Sequence, residues 1–134
     1  MPSIHTIEGI GPTYATKLRK AGIRTTEALL KRGATRTGRK GVAGATGLTE
    51  HQILEWVNRA DLMRVKGIGE EYSDLLEASG VDTVKELKTR KAANLHAKMV
   101  EINEKKRLVR RLPTEGMVAG WIASAAKLPA AVKY

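Results

Sequence analysis

Twice along this 134-residue chain, a Gly-Ile-Gly triplet follows a short apolar stretch and leads directly into a helical pattern. The triplets are Gly9-Ile10-Gly11 and Gly67-Ile68-Gly69. Glycine permits backbone torsions that side chains forbid, and the isoleucine between the two glycines can drop into a core. A helix that starts immediately after such a turn has its first amides unpaired. With the helix dipole, those amides form a cradle for one phosphate oxygen. The chemistry on offer is a grip on a phosphate backbone that does not read bases.

The two hairpins are not equipped alike. Pro12-Thr13 follows the first, with Lys17, Lys20 and Arg24 close behind. Proline suits the first helical position, where no amide is needed, and the Thr13 hydroxyl adds a donor. Glu70-Glu71 and then Asp74 follow the second. Carboxylates complement the dipole there, but they repel a phosphate. A tight packing turn is therefore the main expectation for the second hairpin, with phosphate contact at Gly67 and Gly69 the lesser alternative. At the first, phosphate binding and a packing turn both stay open.

Charge points the same way. Lys and Arg number 24 against 14 Asp and Glu, a net charge of +10, so a polyanion is the first partner to expect. Residues 1–64 hold 11 basic and 5 acidic residues, whereas residues 65–134 hold 13 and 9. Within residues 1–64 the densest basic stretch is 31–40, which holds no acid and includes Arg36, Arg39 and Lys40. It reads as a Gly-rich connection whose arginines either reach phosphates or simply keep a loop solvated. Lys105-Lys106-Arg107 and Arg110-Arg111 form a second cluster, with Glu101 and Glu104 placed to pair with part of it along a helix. The expected nucleic-acid contacts are Gly9, Ile10, Gly11, Thr13, Lys17, Lys20, Arg24, Arg36, Arg39 and Lys40, with Gly67 and Gly69 at the second hairpin.

No catalytic constellation is visible. His5, His51 and His96 are far apart and none has metal-ligand spacing. Gly33-x4-Gly38-Arg39-Lys40 superficially looks like a phosphate-binding P-loop, but Lys does not follow the second glycine. Gly41 also stands where a Ser or Thr would hold magnesium. Among Glu70, Glu71 and Asp74 the consecutive pair faces different directions on a helix, so the cluster suits capping rather than a convergent metal site. With no cysteine, disulfides and thiolate sites are excluded, and a reducing cytoplasmic setting is expected. No apolar run is long enough for a membrane span, so no membrane partner is expected. Two Trp, three Tyr and no Phe argue against a base-stacking platform for single strands.

The elements that hold these residues come in two copies. Ile7 through Tyr14 returns as Val65 through Tyr72 at an offset of 58, and Leu18, Gly22, Ile23, Thr25 and Leu29 return with it. Thr49-Glu50, Ile53, Trp56 and Val57 return at an offset of 65 as Thr114-Glu115, Val118, Trp121 and Ile122. The second copy thus carries seven extra residues between its matching blocks. Apolar spacing within each copy is three-to-four, with no alternating run long enough for a strand. Gly22 and Gly80 are expected to end helices, and Thr25, Thr83, Thr49 and Thr114 to cap new ones. Both tryptophans fall on apolar faces, which favours core packing. The expectation is an all-α chain of two units, 1–64 and 65–134, each of four or five short helices, packed as one compact body.

The run Ile7-x-Gly9-Ile10-Gly11-x-x-x-Ala15-x-x-Leu18…Gly22-Ile23 resembles the helix-hairpin-helix motif of DNA ligases, repair nucleases and Holliday-junction proteins. The whole chain resembles a bacterial family of unknown function built from two such units. Its marks here are Gly-Ile-Gly-Pro-x-Tyr-Ala-x-x-Leu, the segment Asp61 to Tyr72, and the late Leu112-Pro113…Trp121. The resemblance implies tandem, SAM-like helical units and non-enzymatic, sequence-independent binding of duplex DNA. A protein-interaction or oligomerisation module, and a structured-RNA binder, are the alternatives. No cofactor is expected, although some relatives of the motif hold a monovalent cation on hairpin carbonyls.

Overall fold

The computed structural model describes residues 3–7 and 9–134, and these are all-α, with eight α-helices and one 3-10 turn. The chain divides into two compact units: Met1–Asp61 together with Ala131–Tyr134, and Leu62–Ala130. Extended backbone among the described residues is limited to one isolated bridge between Ser3 and Thr25.

In the first unit a 3-10 turn over Ile4–Thr6 leads to α1, Pro12–Lys20. Leu18 and Ala15 are buried on its inner side. The helix ends where Gly22 takes φ +87°, and Ile23 N–H turns back to the Leu18 carbonyl at 2.9 Å. That left-handed closure is one glycine adopts without penalty, and it drops Ile23 into the core. Thr25 then caps α2, Thr26–Gly33, by accepting from Ala28 N–H at 3.1 Å. Thr35 caps α3, Arg36–Thr46, and Thr49 caps α4, Glu50–Leu62. Gly33 is buried against Val57, and a Cβ there would overlap the valine methyl, so glycine sets how closely α2 approaches α4.

The second unit repeats this opening. Its helices are α5, Glu70–Ala78; α6, Val84–Leu87; α7, Ala92–Lys106; and α8, Glu115–Ala126. Gly80 has φ +91°, and Val81 N–H reaches the Leu76 carbonyl at 2.9 Å, as Ile23 does with Leu18. Thr83 and Thr114 cap α6 and α8. Leu75, Leu76, Leu87, Met99, Val118 and Trp121 fill the core. Fully burying a side chain of this size stabilises the fold by about 1.5–3 kcal/mol. The aromatic pairs match as well. Tyr14 meets Trp56 at 5.3 Å and 51°, and Tyr72 meets Trp121 at 5.1 Å and 50°.

One expectation needs correcting. Residues 31–40 are not a connection: α2 runs to Gly33 and α3 starts at Arg36. The three glycines at 38, 41 and 44 suggest a loop, but Thr35 supplies the N-cap and Val42 and Arg39 anchor the inner face. The extra length of the second copy lies mostly beyond the helices. Gly47-Leu48 alone separates α3 from Thr49, whereas residues 107–113 separate α7 from Thr114.

Candidate nucleic-acid interface

At the first hairpin Ile7 N–H closes the 3-10 turn onto the Ile4 carbonyl at 3.2 Å, and Ile10 N–H returns to Ile7 at 3.1 Å. Gly9 between them takes φ +93°, and Ile10 is buried. Gly11 is the N-cap of α1, in extended conformation, and makes no side-chain cap bond. Pro12 has no amide, and Ala15 N–H already bonds the Gly11 carbonyl at 2.9 Å. That leaves the amides of Thr13 and Tyr14 without a partner inside the helix. The first turn of α1 contains no acid.

Thr13, Lys17 and Lys20 are exposed and spaced at i, i+4 and i+7, so they share one side of α1. Lys20 sits about 10 Å along the axis from Thr13, at 1.5 Å per residue, so the two would meet different phosphates. Arg24 is exposed beyond the Gly22 turn, past the far end of α1 from Gly11, and its carbonyl accepts from Ile4 N–H. Beside Gly9 is a shallow cleft of about 200 Å³ lined by Tyr14, Gln52, Glu55, Trp56 and Arg59.

The second hairpin has the same backbone and different surroundings. Gly67 takes φ +96°, Ile68 N–H bonds the Val65 carbonyl at 3.1 Å, and Gly69 caps α5 without a side-chain bond. Glu70 and Glu71 occupy the first turn. Segment 107–113 passes over them. Tyr72 donates its hydroxyl to the Arg111 carbonyl at 3.0 Å, and Arg110 Nε lies 3.8 Å from Glu71. The resulting cleft, about 530 Å³, is lined by Gly67, Gly69, the two glutamates, Tyr72, Arg110 and Arg111. The basic character of Arg110-Arg111 is visible in the sequence, but their place over the hairpin depends on the fold of the loop.

One protein-family pattern, described as Domain of unknown function (DUF4332), matches residues 8–128. The chain belongs to this family. No curated protein and no solved structure gave a match. In this DUF4332 member the expected contact residues are divided among several elements. Gly9, Gly11, Thr13, Lys17 and Lys20 stand together along the first hairpin and α1, with Ile10 buried beneath as the core anchor. Arg36 and Lys40 are exposed on α3, one turn apart.

Arg39 is the exception, and its expected role is corrected. Its side chain is 5% exposed and donates to the carbonyls of Gly33, Ala34 and Lys133 at 2.9, 3.2 and 2.8 Å. The ring of Tyr134 lies 6.0 Å from the guanidinium carbon. A guanidinium committed to three carbonyls holds the α2–α3 junction and the tail rather than a phosphate.

A pair of arginines escaped notice in the sequence. Arg32 donates to the Ala21 carbonyl and Arg90 to the Gly80 carbonyl, each at 3.0 Å. They are 58 positions apart, the offset of the duplication, so the repeat held the signal. Both brace the glycine turn that follows the first helix of their unit. Among the described residues no helix is long and apolar enough to cross a membrane.

Proposed function

We propose that the chain is a non-enzymatic module of two helix-hairpin-helix units that binds double-stranded DNA through its backbone phosphates. The first hairpin is the grip. The observation that carries this reading is the start of α1, where the Thr13 and Tyr14 amides have no intrahelical partners, the Thr13 residue is exposed, Lys17 and Lys20 follow along the same side, and the first turn holds no acid. A phosphate there gains amide hydrogen bonds, the positive end of the dipole, and the Lys17 charge. Lys20, Arg24, Arg36 and Lys40 add exposed positive charge to the same unit. The recurrence of the Gly-Ile-Gly turn, the glycine closure and the Tyr–Trp pair supports the tandem motif.

The second hairpin serves the fold. Glu70 and Glu71 hold the dipole end of α5, and Arg110 answers Glu71 from the loop above. Fluorescence anisotropy against duplex DNA, single-stranded DNA and duplex RNA tests the proposal. Duplex DNA should bind, single strands should bind more weakly, and the affinity should be insensitive to base sequence. A preference for duplex RNA would replace DNA as the ligand. Absence of binding to all three at low salt would remove the nucleic-acid reading altogether.

A further inference from the structure

Helices α4 and α8 are matched members of the two copies, aligned by their Thr-Glu starts and their tryptophans. Their inner positions agree in kind: Ile53 with Val118, Trp56 with Trp121, Ala60 with Ala125. The outer positions do not. Where α4 carries His51, Gln52, Glu55, Asn58 and Arg59, α8 carries Gly116, Met117, Gly120, Ala123 and Ser124. All five of these α8 residues are exposed. No charged residue stands between Glu115 and Lys127, in a chain of which 28% is charged.

Val118, Trp121 and Ala125 bury the inner side of α8, and the helix packs on α6 and α7. On the opposite side, Gly116, Ala119, Gly120 and Ala123 recur at three-to-four spacing and form one stripe. The glycines are not required by the protein's own packing. A Cβ on Gly120 would meet nothing within 4 Å, and one on Gly116 only the Thr114 hydroxyl at 3.8 Å. Neither has a positive φ. Glycine in a helix interior weakens it relative to alanine, so Gly120 carries a cost without an internal reason. Close approach of a second helix supplies one, because side chains at the contact set the 8–10 Å axial distance. Met117 at 39% and Leu112 at 40% exposure add apolar surface at the start of α8.

We infer that this face of α8 packs antiparallel against the same face of a second copy of the chain. Charge selects that occupant. The neutral face is bounded by Glu115 at its N-terminal end and Lys127 at its C-terminal cap. About a two-fold axis, Glu115 of each copy meets Lys127 of the other, and the two helix dipoles oppose. Two chains of charge +10 repel elsewhere, so a neutral face is where they can meet. At twelve residues, α8 is about 18 Å long and buries less than a standard interface of about 1,600 Å², so the dimer depends on concentration.

Sedimentation equilibrium of the whole protein without nucleic acid tests this. The average mass should rise from 14.6 kDa toward twice that value with concentration. Gly120→Glu with Ala123→Asn installs the residue types that α4 carries at matching positions, and should give a monomer with unchanged helical circular dichroism. Glu115→Lys alone, or Lys127→Glu alone, should weaken association about tenfold, and the double exchange should restore most of it. A wild-type mass that stays at 14.6 kDa throughout overturns the inference. So does undiminished association of the Gly120→Glu, Ala123→Asn variant, or a double exchange no better than the single ones.

Discussion

Arg39 donates from Nη2 to the carbonyl of Lys133 at 2.8 Å, joining residues 94 positions apart in one half-buried contact. The Lys133 amide in turn bonds the Ala34 carbonyl at 2.7 Å, and the Tyr134 hydroxyl donates to Asn58 at 3.1 Å. The tail thus closes over the α2–α3 junction, and a basic residue that reads as a phosphate ligand becomes a structural pin.

Replacing that pin should therefore act on stability. Arg39→Met removes the guanidinium from three carbonyls, of which Ala34 keeps the Lys133 amide, at a cost of about 2–3 kcal/mol. Denaturant titration by circular dichroism would register a lower midpoint. Arg39→Lys should recover only part of the loss, because an ammonium cannot reproduce the planar fork.

The hairpin glycines separate in the same assay. Gly67 has φ +96°, and a Cβ there would lie 3.1 Å from the Trp121 indole nitrogen. Gly67→Ala should cost more than about 2 kcal/mol through backbone strain and displacement of the indole. Gly69 has an extended backbone and open space around it, so Gly69→Ala should cost no more than about 1 kcal/mol. Equal losses at the two positions would contradict this account of the turn.

Capping threonines provide an independent check. Thr25 and Thr83 accept from Ala28 and Glu86 amides at 3.1 and 3.2 Å, at matched places in the two units. Replacing either with alanine should lower stability by about 1 kcal/mol, and replacement with serine by much less.

The acids of the second hairpin make a gain-of-function prediction. Glu70→Pro with Glu71→Thr copies the Pro12-Thr13 start of α1 and removes two negative charges from the cradle. Duplex DNA affinity at low salt should rise about five- to tenfold, consistent with the weight of phosphate electrostatics. Anisotropy would show no change if neither hairpin meets DNA.

Much of the fold is legible in the residues themselves. Gly22 and Gly80 announce helix ends because only glycine takes φ near +90° cheaply, and the threonines after them announce starts. The tryptophan helices are legible from three-to-four spacing. Segment 31–40 misleads, because its glycines and charges mask a helix held by tertiary contacts, including one to the tail. The place of Arg110-Arg111 over the second hairpin is equally hidden, since no local pattern says where a seven-residue loop will fold. The first hairpin is the part of the candidate site best read in advance, because turn, cap and lysine spacing are all local.

The central claim is that the start of α1 grips duplex phosphates, and a salt titration of wild type beside Lys17→Glu with Lys20→Glu tests it most directly. With about three phosphates neutralised, wild-type affinity for a duplex of about 20 base pairs should fall about 40-fold between about 50 and about 200 mM salt. The variant should bind more than tenfold more weakly at low salt, with a shallower slope and unchanged helical circular dichroism. Equal affinity and equal slope for the two proteins would contradict the claim.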